Sequence, residues 1–240
     1  MAWDLRDHIT KEREMSEAFF LSVVLAFSGG FQDAYTYIVR DHVYANAQTG
    51  NVVMLSGHFM RGEWGLGLRY LFPLMAFALG VFAAATIHHH YDYGPHERHW
   101  RQTILAVEAI IMFVVGFITK FNNALANCLV SFACAMQVEA FRTVHGYGYA
   151  STMCIGNLRG AMSSLADYFS SRDRAYLKRA KYYLGVIFAF ALGAGTGCQL
   201  SPVMDIAASW VCSALLAFSY WLMGWKGRRS DRAHSAECEQ

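Results

Sequence analysis

The sequence predicts an all-α integral membrane protein built from two repeats of about four helical elements each. Six to eight of these elements would be membrane helices, and the second element of each repeat is polar. Three observations predict this. The chain of 240 residues is 55% hydrophobic and carries only 16% charged residues, where a soluble domain carries about 25%. The charges cluster between long apolar runs, the pattern of a polytopic membrane chain. Finally, short motifs recur in the same order in the two halves.

The apolar runs lie at about 19–39, 69–87, 103–119, 123–141, 182–200 and 203–225. At about 1.5 Å per helical residue, each can cross a hydrocarbon layer of about 30 Å, some only just. Residues 1–18 are polar and of mixed charge. They read as a cytoplasmic N-terminal segment, either a short amphipathic helix or a frayed tail. Residues 19–225 read as one transmembrane domain, and 226–240 as a cytoplasmic tail. The net charge of +2 gives no case for nucleic-acid binding. Of the six cysteines, Cys128, Cys134, Cys154, Cys198 and Cys212 fall in apolar segments and no CxxC occurs, so they read as small apolar fillers.

Two further segments, 43–60 and 149–169, are helical in length but rich in polar residues. The first contains Asn46-Ala47-Gln48-Thr49-Gly50-Asn51. Such groups are tolerated at membrane depth only when buried in protein or facing a water-filled cavity. Sliding the chain by 106 residues places Asp33 on Glu139 and Gly50-Asn51 on Gly156-Asn157. Phe77-Ala78-Leu79-Gly80 then matches Phe190-Ala191-Leu192-Gly193 after a seven-residue insertion. This defines repeat 1 as about 19–119 and repeat 2 as about 123–225. Transporters are commonly built from such repeats, with discontinuous helices at their interface.

Lys and Arg set the orientation. If all eight elements span, residues 61–69 share the cytoplasmic side with both termini and the repeats are parallel. If the two polar elements are re-entrant, 88–102 takes that side and the repeats are inverted. Either way the Lys and Arg count is 15 against 4, with Arg159 left at membrane depth, and both termini are cytoplasmic.

At Gly29-Gly30-Phe31-Gln32-Asp33-Ala34 and Asn46-Ala47-Gln48-Thr49-Gly50-Asn51 the sequence resembles the YoaK-like family of bacterial membrane proteins, over about residues 19–225. The resemblance implies a multi-pass protein of the bacterial inner membrane. It implies no settled substrate or reaction.

Asp33 lies in the second half of the first apolar run. A carboxylate at membrane depth costs at least about 2.5–3.5 kcal/mol and is a functional candidate, or else a buried hydrogen-bonding group that fixes helix packing. Glu139 is its counterpart, with Arg142 at i+3 and Arg159 in the same repeat. The expected arrangement pairs Glu139 with Arg142 and turns Arg159 toward Asp33 or a bound anion. The candidate substrate-binding residues are therefore Asp33, Asn46, Gln48, Thr49, Asn51, Glu139, Asn157 and Arg159. The histidines at 88, 89, 90, 96 and 99 have no regular ligand spacing, and no metal or cofactor is expected. There is no GxSxG, HExxH or P-loop, so no catalytic residue is assigned and an enzyme is not expected.

The reading that follows is a small-solute membrane transporter or permease of unknown substrate, with Asp33 as its proton- or cation-responsive group. The rival is a non-transporting scaffold or accessory protein whose buried polar residues are structural; a channel comes third. Its partners would be membrane lipid, a small-molecule or ion solute and, as an option, further copies of itself.

Overall fold

The computed structural model describes the backbone of residues 2–91, 97–144, 147–148, 152 and 154–238, and the side chains of 19–90, 100–142, 152 and 154–225. Expectations for the side chains of 1–18 and 226–240, for His96 and His99, and for Ser151 and Met153 fall outside these residues. The described chain is helical: α1 Ala2–Val39, α2 Gln48–Met60, α3 Trp64–Tyr91, α4 Glu97–Val115, α5 Asn123–Ala140, α6 Cys154–Ser171, α7 Arg174–Met204 and α8 Ser209–Cys238. Two 3-10 turns, Lys120–Asn122 and Asp205–Ala208, lead into α5 and α8, and a two-residue antiparallel pairing follows α5.

Two continuous stretches, Trp64–His90 and Arg174–Trp225, are long and apolar enough to cross a membrane. Only 22% and 28% of their most apolar parts are buried. Phe72, Leu79 and Phe82 on α3, and Phe188, Leu192 and Val203 on α7, face outward. An apolar helix that turns its large side chains away from the protein's own core is suited to a non-aqueous surrounding.

Two of the other helices fall short of that hydropathy for a visible reason. α1 and α5 lie inside the bundle and carry polar stripes. On α1, Ser22, Ser28, Gln32, Asp33, Thr36 and Arg40 are all buried; on α5, Asn123, Asn127, Ser131 and Gln137 are.

Cross-helix contacts fix the directions. Phe19 meets Gly185, Phe27 meets Gly193 and Ala34 meets Gly197, so α1 and α7 run parallel. Gln32 bonds Glu108 and Arg40 bonds the Val115 carbonyl, so α4 runs with them. Cys134 bonds Gln32 and Asn123 bonds Arg40, so α5 runs against α1. Trp210 donates to the Phe113 carbonyl and Gln102 to the Tyr220 carbonyl, so α8 runs against α4. His88 packs on Trp100 across the α3–α4 hairpin, which sets α3 with α5 and α8.

Several helices touch backbone to backbone at glycine. A side chain at Gly30 would strike the Phe190 carbonyl, one at Gly193 the Phe27 carbonyl, and one at Gly80 the Phe132 carbonyl. Backbones in contact at such points match the small-residue packing of helices in lipid. Each of the last two glycines closes a Phe-Ala-Leu-Gly motif.

Candidate functional site

The segment after α1 does not continue outward. Asp41 and His42 both adopt left-handed backbone (φ 63° and 59°), an uncommon conformation for residues other than glycine. The chain doubles back until Asn46 reaches the level of Gly29 and Asp33. That is ten residues before the end of α1, or about 15 Å. Only then does α2 begin. With 13 residues it is about 20 Å long.

Asp33 holds this return. Its Oδ1 accepts the Asn46 backbone N–H at 2.7 Å, and the amides of Ala45 and Ala47 also face the carboxyl. The N-cap residue of α2, Ala47, has no capping side chain. Asp33 therefore supplies, from another helix, the negative group that a helix N-terminus favours. Asn46 Nδ2 donates to the Gly29 carbonyl at 3.2 Å.

The remaining amides staple the same turn. Asn51 is buried; its Nδ2 donates to the Tyr44 carbonyl at 2.7 Å and to Gln48 Oε1 at 2.9 Å, and its Oδ1 accepts the Tyr44 N–H at 3.0 Å. Gln48 Nε2 donates to the Ala45 carbonyl at 2.7 Å. Backbone groups that a helix would have satisfied are thus satisfied by side chains. Thr49 is exposed.

The second polar element reaches the same place. Thr152, which precedes α6, packs on Gly29 so closely that a Cβ there would lie 2.5 Å from Thr152 Cγ2. Gly29 is therefore where the two polar elements meet α1, and it is the midpoint of the run 19–39. Two buried oxygens of the residues that meet here, Asn46 Oδ1 and Thr152 Oγ1, have no hydrogen-bond partner among the described residues. Gly50 and Gly156 do not make the junction: a side chain at Gly50 would meet Tyr44, and Gly156 faces open space.

The expected Glu139–Arg142 pair forms, but Arg159, the cation expected to face Asp33, is not within ion-pair distance of it. Arg142 pairs with Glu139 at 3.4 Å, but its side chain is 63% exposed and that of Glu139 only 18%. Arg159 is exposed on α6, while Asn157, two residues earlier, is buried. Among the described residues, no Lys, Arg or His nitrogen lies within ion-pair distance of Asp33.

Two buried groups escaped the sequence reading. Glu108, fully buried on α4, accepts from Gln32 Nε2 at 3.3 Å; Gln32 Oε1 in turn accepts from the Cys134 thiol. It is the one carboxylate within the apolar run 103–119, and that isolation was the available signal. Arg40 is fully buried at the end of α1. It donates to Tyr35 Oη at 2.8 Å, Asn123 Oδ1 at 3.0 Å and the Val115 carbonyl at 3.0 Å. No carboxylate pairs with it among the described residues. It sits where α1 and α4 both end, and the negative ends of two helix dipoles take the place of a counter-ion.

Residues 21–222 match the family described as protein of unknown function, DUF1275. The chain belongs to DUF1275. No curated protein and no solved structure matches it. In this DUF1275 chain the matched region takes in every buried polar group named above, from Ser22 to Asn157, and stops before the polar tail. Among the described residues no three His, Cys, Asp or Glu side chains gather as a metal site.

Proposed function

We propose that the protein is a small-solute membrane transporter of the bacterial inner membrane, in which Asp33 is the proton- or cation-responsive group. One observation carries the reading. The turn into α2 and Thr152, just before α6, meet at the midpoint of the apolar run of α1, beside a carboxylate that has no cationic partner among the described residues. Transporter sites are typically built this way, from discontinuous helices near the bilayer midplane. The resemblance to YoaK-like proteins points to the same membrane.

The packing also supports two inverted repeats, α1–α4 and α5–α8. α1 packs on α7 and α5 on α3; α2 packs on α3 and α6 on α7; α4 packs on α8. Each pairing becomes its counterpart when the repeats are exchanged. An inverted pair requires α1 to oppose α5 and α4 to oppose α8, the directions seen. On this reading α1, α3, α4, α5, α7 and α8 span, and α2 and α6 enter and leave on one side each. Both termini and the basic stretch 170–181 are then cytoplasmic, as the excess of Lys and Arg favours.

A scaffold is the rival, and the bonding of Asn51 and Gln48 within their own turn favours it. Vesicles containing the purified chain, loaded with a small-metabolite extract and placed under a proton or Na+ gradient, decide between them. The transporter reading expects gradient-dependent movement of at least one metabolite, lost in Asp33→Asn. Vesicles that move nothing beyond protein-free controls under either gradient would overturn it.

A further inference from the structure

We infer that the meeting point of the two polar elements at Gly29 is a binding site for one dehydrated monovalent cation of about the size of Na+. The inference deepens the transporter reading and rests on it for the cation's role. Three oxygen-bearing side chains converge on the turn Gly29–Asp33. Asp33 binds the Asn46 N–H there, Asn46 binds the Gly29 carbonyl, and Thr152 packs on the Gly29 backbone.

All three residues are more than nine-tenths buried: Asp33 is 6% exposed, Asn46 5% and Thr152 5%. Among the described residues Asn46 Oδ1 and Thr152 Oγ1 have no partner, although a buried polar group without one is costly and rare. What is missing is positive or donating, because an amide oxygen can only accept and the carboxylate is acceptor-only when ionised.

Chemistry and charge narrow the ligand. The Thr152 side chain is in direct contact with the Gly29 backbone, so the two polar elements close on α1 at this point. The three converging side chains offer hard oxygens, which suit alkali or alkaline-earth ions over transition metals. A single carboxylate balances one charge and no more, and a divalent ion would be left with uncompensated charge in a dry site. Held there, the ion would tie α1 to the starts of both polar elements at once. It would thereby couple repeat 1 to repeat 2.

The test is equilibrium binding of radioactive Na+ to the full-length chain purified in detergent, with K+ or choline holding the ionic strength. We expect saturable binding of one Na+ per chain. Thr152→Val, which replaces the hydroxyl with a methyl, should weaken it at least tenfold, and so should Asp33→Asn. Thr152→Ser should retain it, and Thr196→Val, whose hydroxyl bonds back to the Leu192 and Gly193 carbonyls of its own helix, should be neutral. Elution as a monodisperse peak keeps misfolded variants out of the comparison. Absence of saturable Na+ binding, equal competition by K+, or unchanged binding in Thr152→Val would each overturn the site. Proton-driven metabolite movement without Na+ binding would sink the cation site and leave the transporter standing. Na+ binding without any metabolite movement would do the reverse.

Discussion

Asp33 Oδ1 accepts the backbone N–H of Asn46 at 2.7 Å, so a carboxylate six residues before the end of α1 fixes the point at which the chain turns to start α2. Asp33→Ala removes an acceptor that no solvent replaces at that depth. It should destabilise the protein by about 1–3 kcal/mol, the cost of leaving a buried donor unmade. Asp33→Asn keeps an oxygen in place and should cost less. Chemical unfolding in detergent ranks the two. If Asp33→Ala unfolds at the wild-type midpoint, the carboxylate does not hold the turn.

How much of this was legible is clearest from three residues. Asp33 was legible, because an isolated carboxylate in an apolar run is costly wherever the chain folds. The part played by Asn51 was not: an amide beside a membrane segment looks the same whether it meets a solute or the Tyr44 backbone, and only the reversal at Asp41 and His42 decides that. Arg40 was hidden at the edge of its run, where a cation is ordinarily read as an interfacial marker. Its burial depends on α4 ending and α5 starting at the same level, which is tertiary information. The order of the elements was written in the motifs, but their directions came only from contacts such as Gln32 with Cys134 and Trp210 with Phe113.

Gly193 and Gly195 lie two residues apart on α7 and face opposite surroundings. A methyl at Gly193 would overlap the Phe27 carbonyl of α1, whereas at Gly195 it would meet nothing within 4 Å. Gly193→Ala must therefore push two helices apart, at a cost of about 1–3 kcal/mol. Gly195→Ala only gains helix propensity, up to about 1 kcal/mol. Thermal unfolding of the two variants should shift in opposite directions. Equal shifts would mean that α1 and α7 do not touch along this face.

Asp41 and His42 hold two successive left-handed residues without glycine. Each such residue costs about 1–3 kcal/mol when its side chain must be accommodated. His42 is exposed and stacks edge-on against Tyr37 with ring centroids 4.9 Å apart. His42→Gly relieves the strain and gives up that contact, so a net gain of about 1 kcal/mol is expected. A loss of stability would show that the ring contact, and not the backbone, governs this turn.

The direction of the helices makes the last prediction, on topology. Because α1 opposes α5 and α4 opposes α8, the turn between α2 and α3 must lie on the face opposite to the start of α4. With both termini cytoplasmic, residue 65 is periplasmic and residue 97 is cytoplasmic. Gly65 has nothing within 4 Å of where its side chain would be, so Gly65→Cys is free to react. In a background lacking the native cysteines, an impermeant thiol reagent added to whole cells should label Gly65→Cys. Glu97→Cys should be labelled only after the membrane is opened. A chain with eight spanning elements requires the reverse, since α2 would then carry the chain back to the cytoplasm. Thirteen helical residues give it about 20 Å for that crossing, some 10 Å less than the hydrocarbon layer. Labelling of Glu97→Cys in intact cells would therefore contradict the inverted arrangement at the level of the backbone.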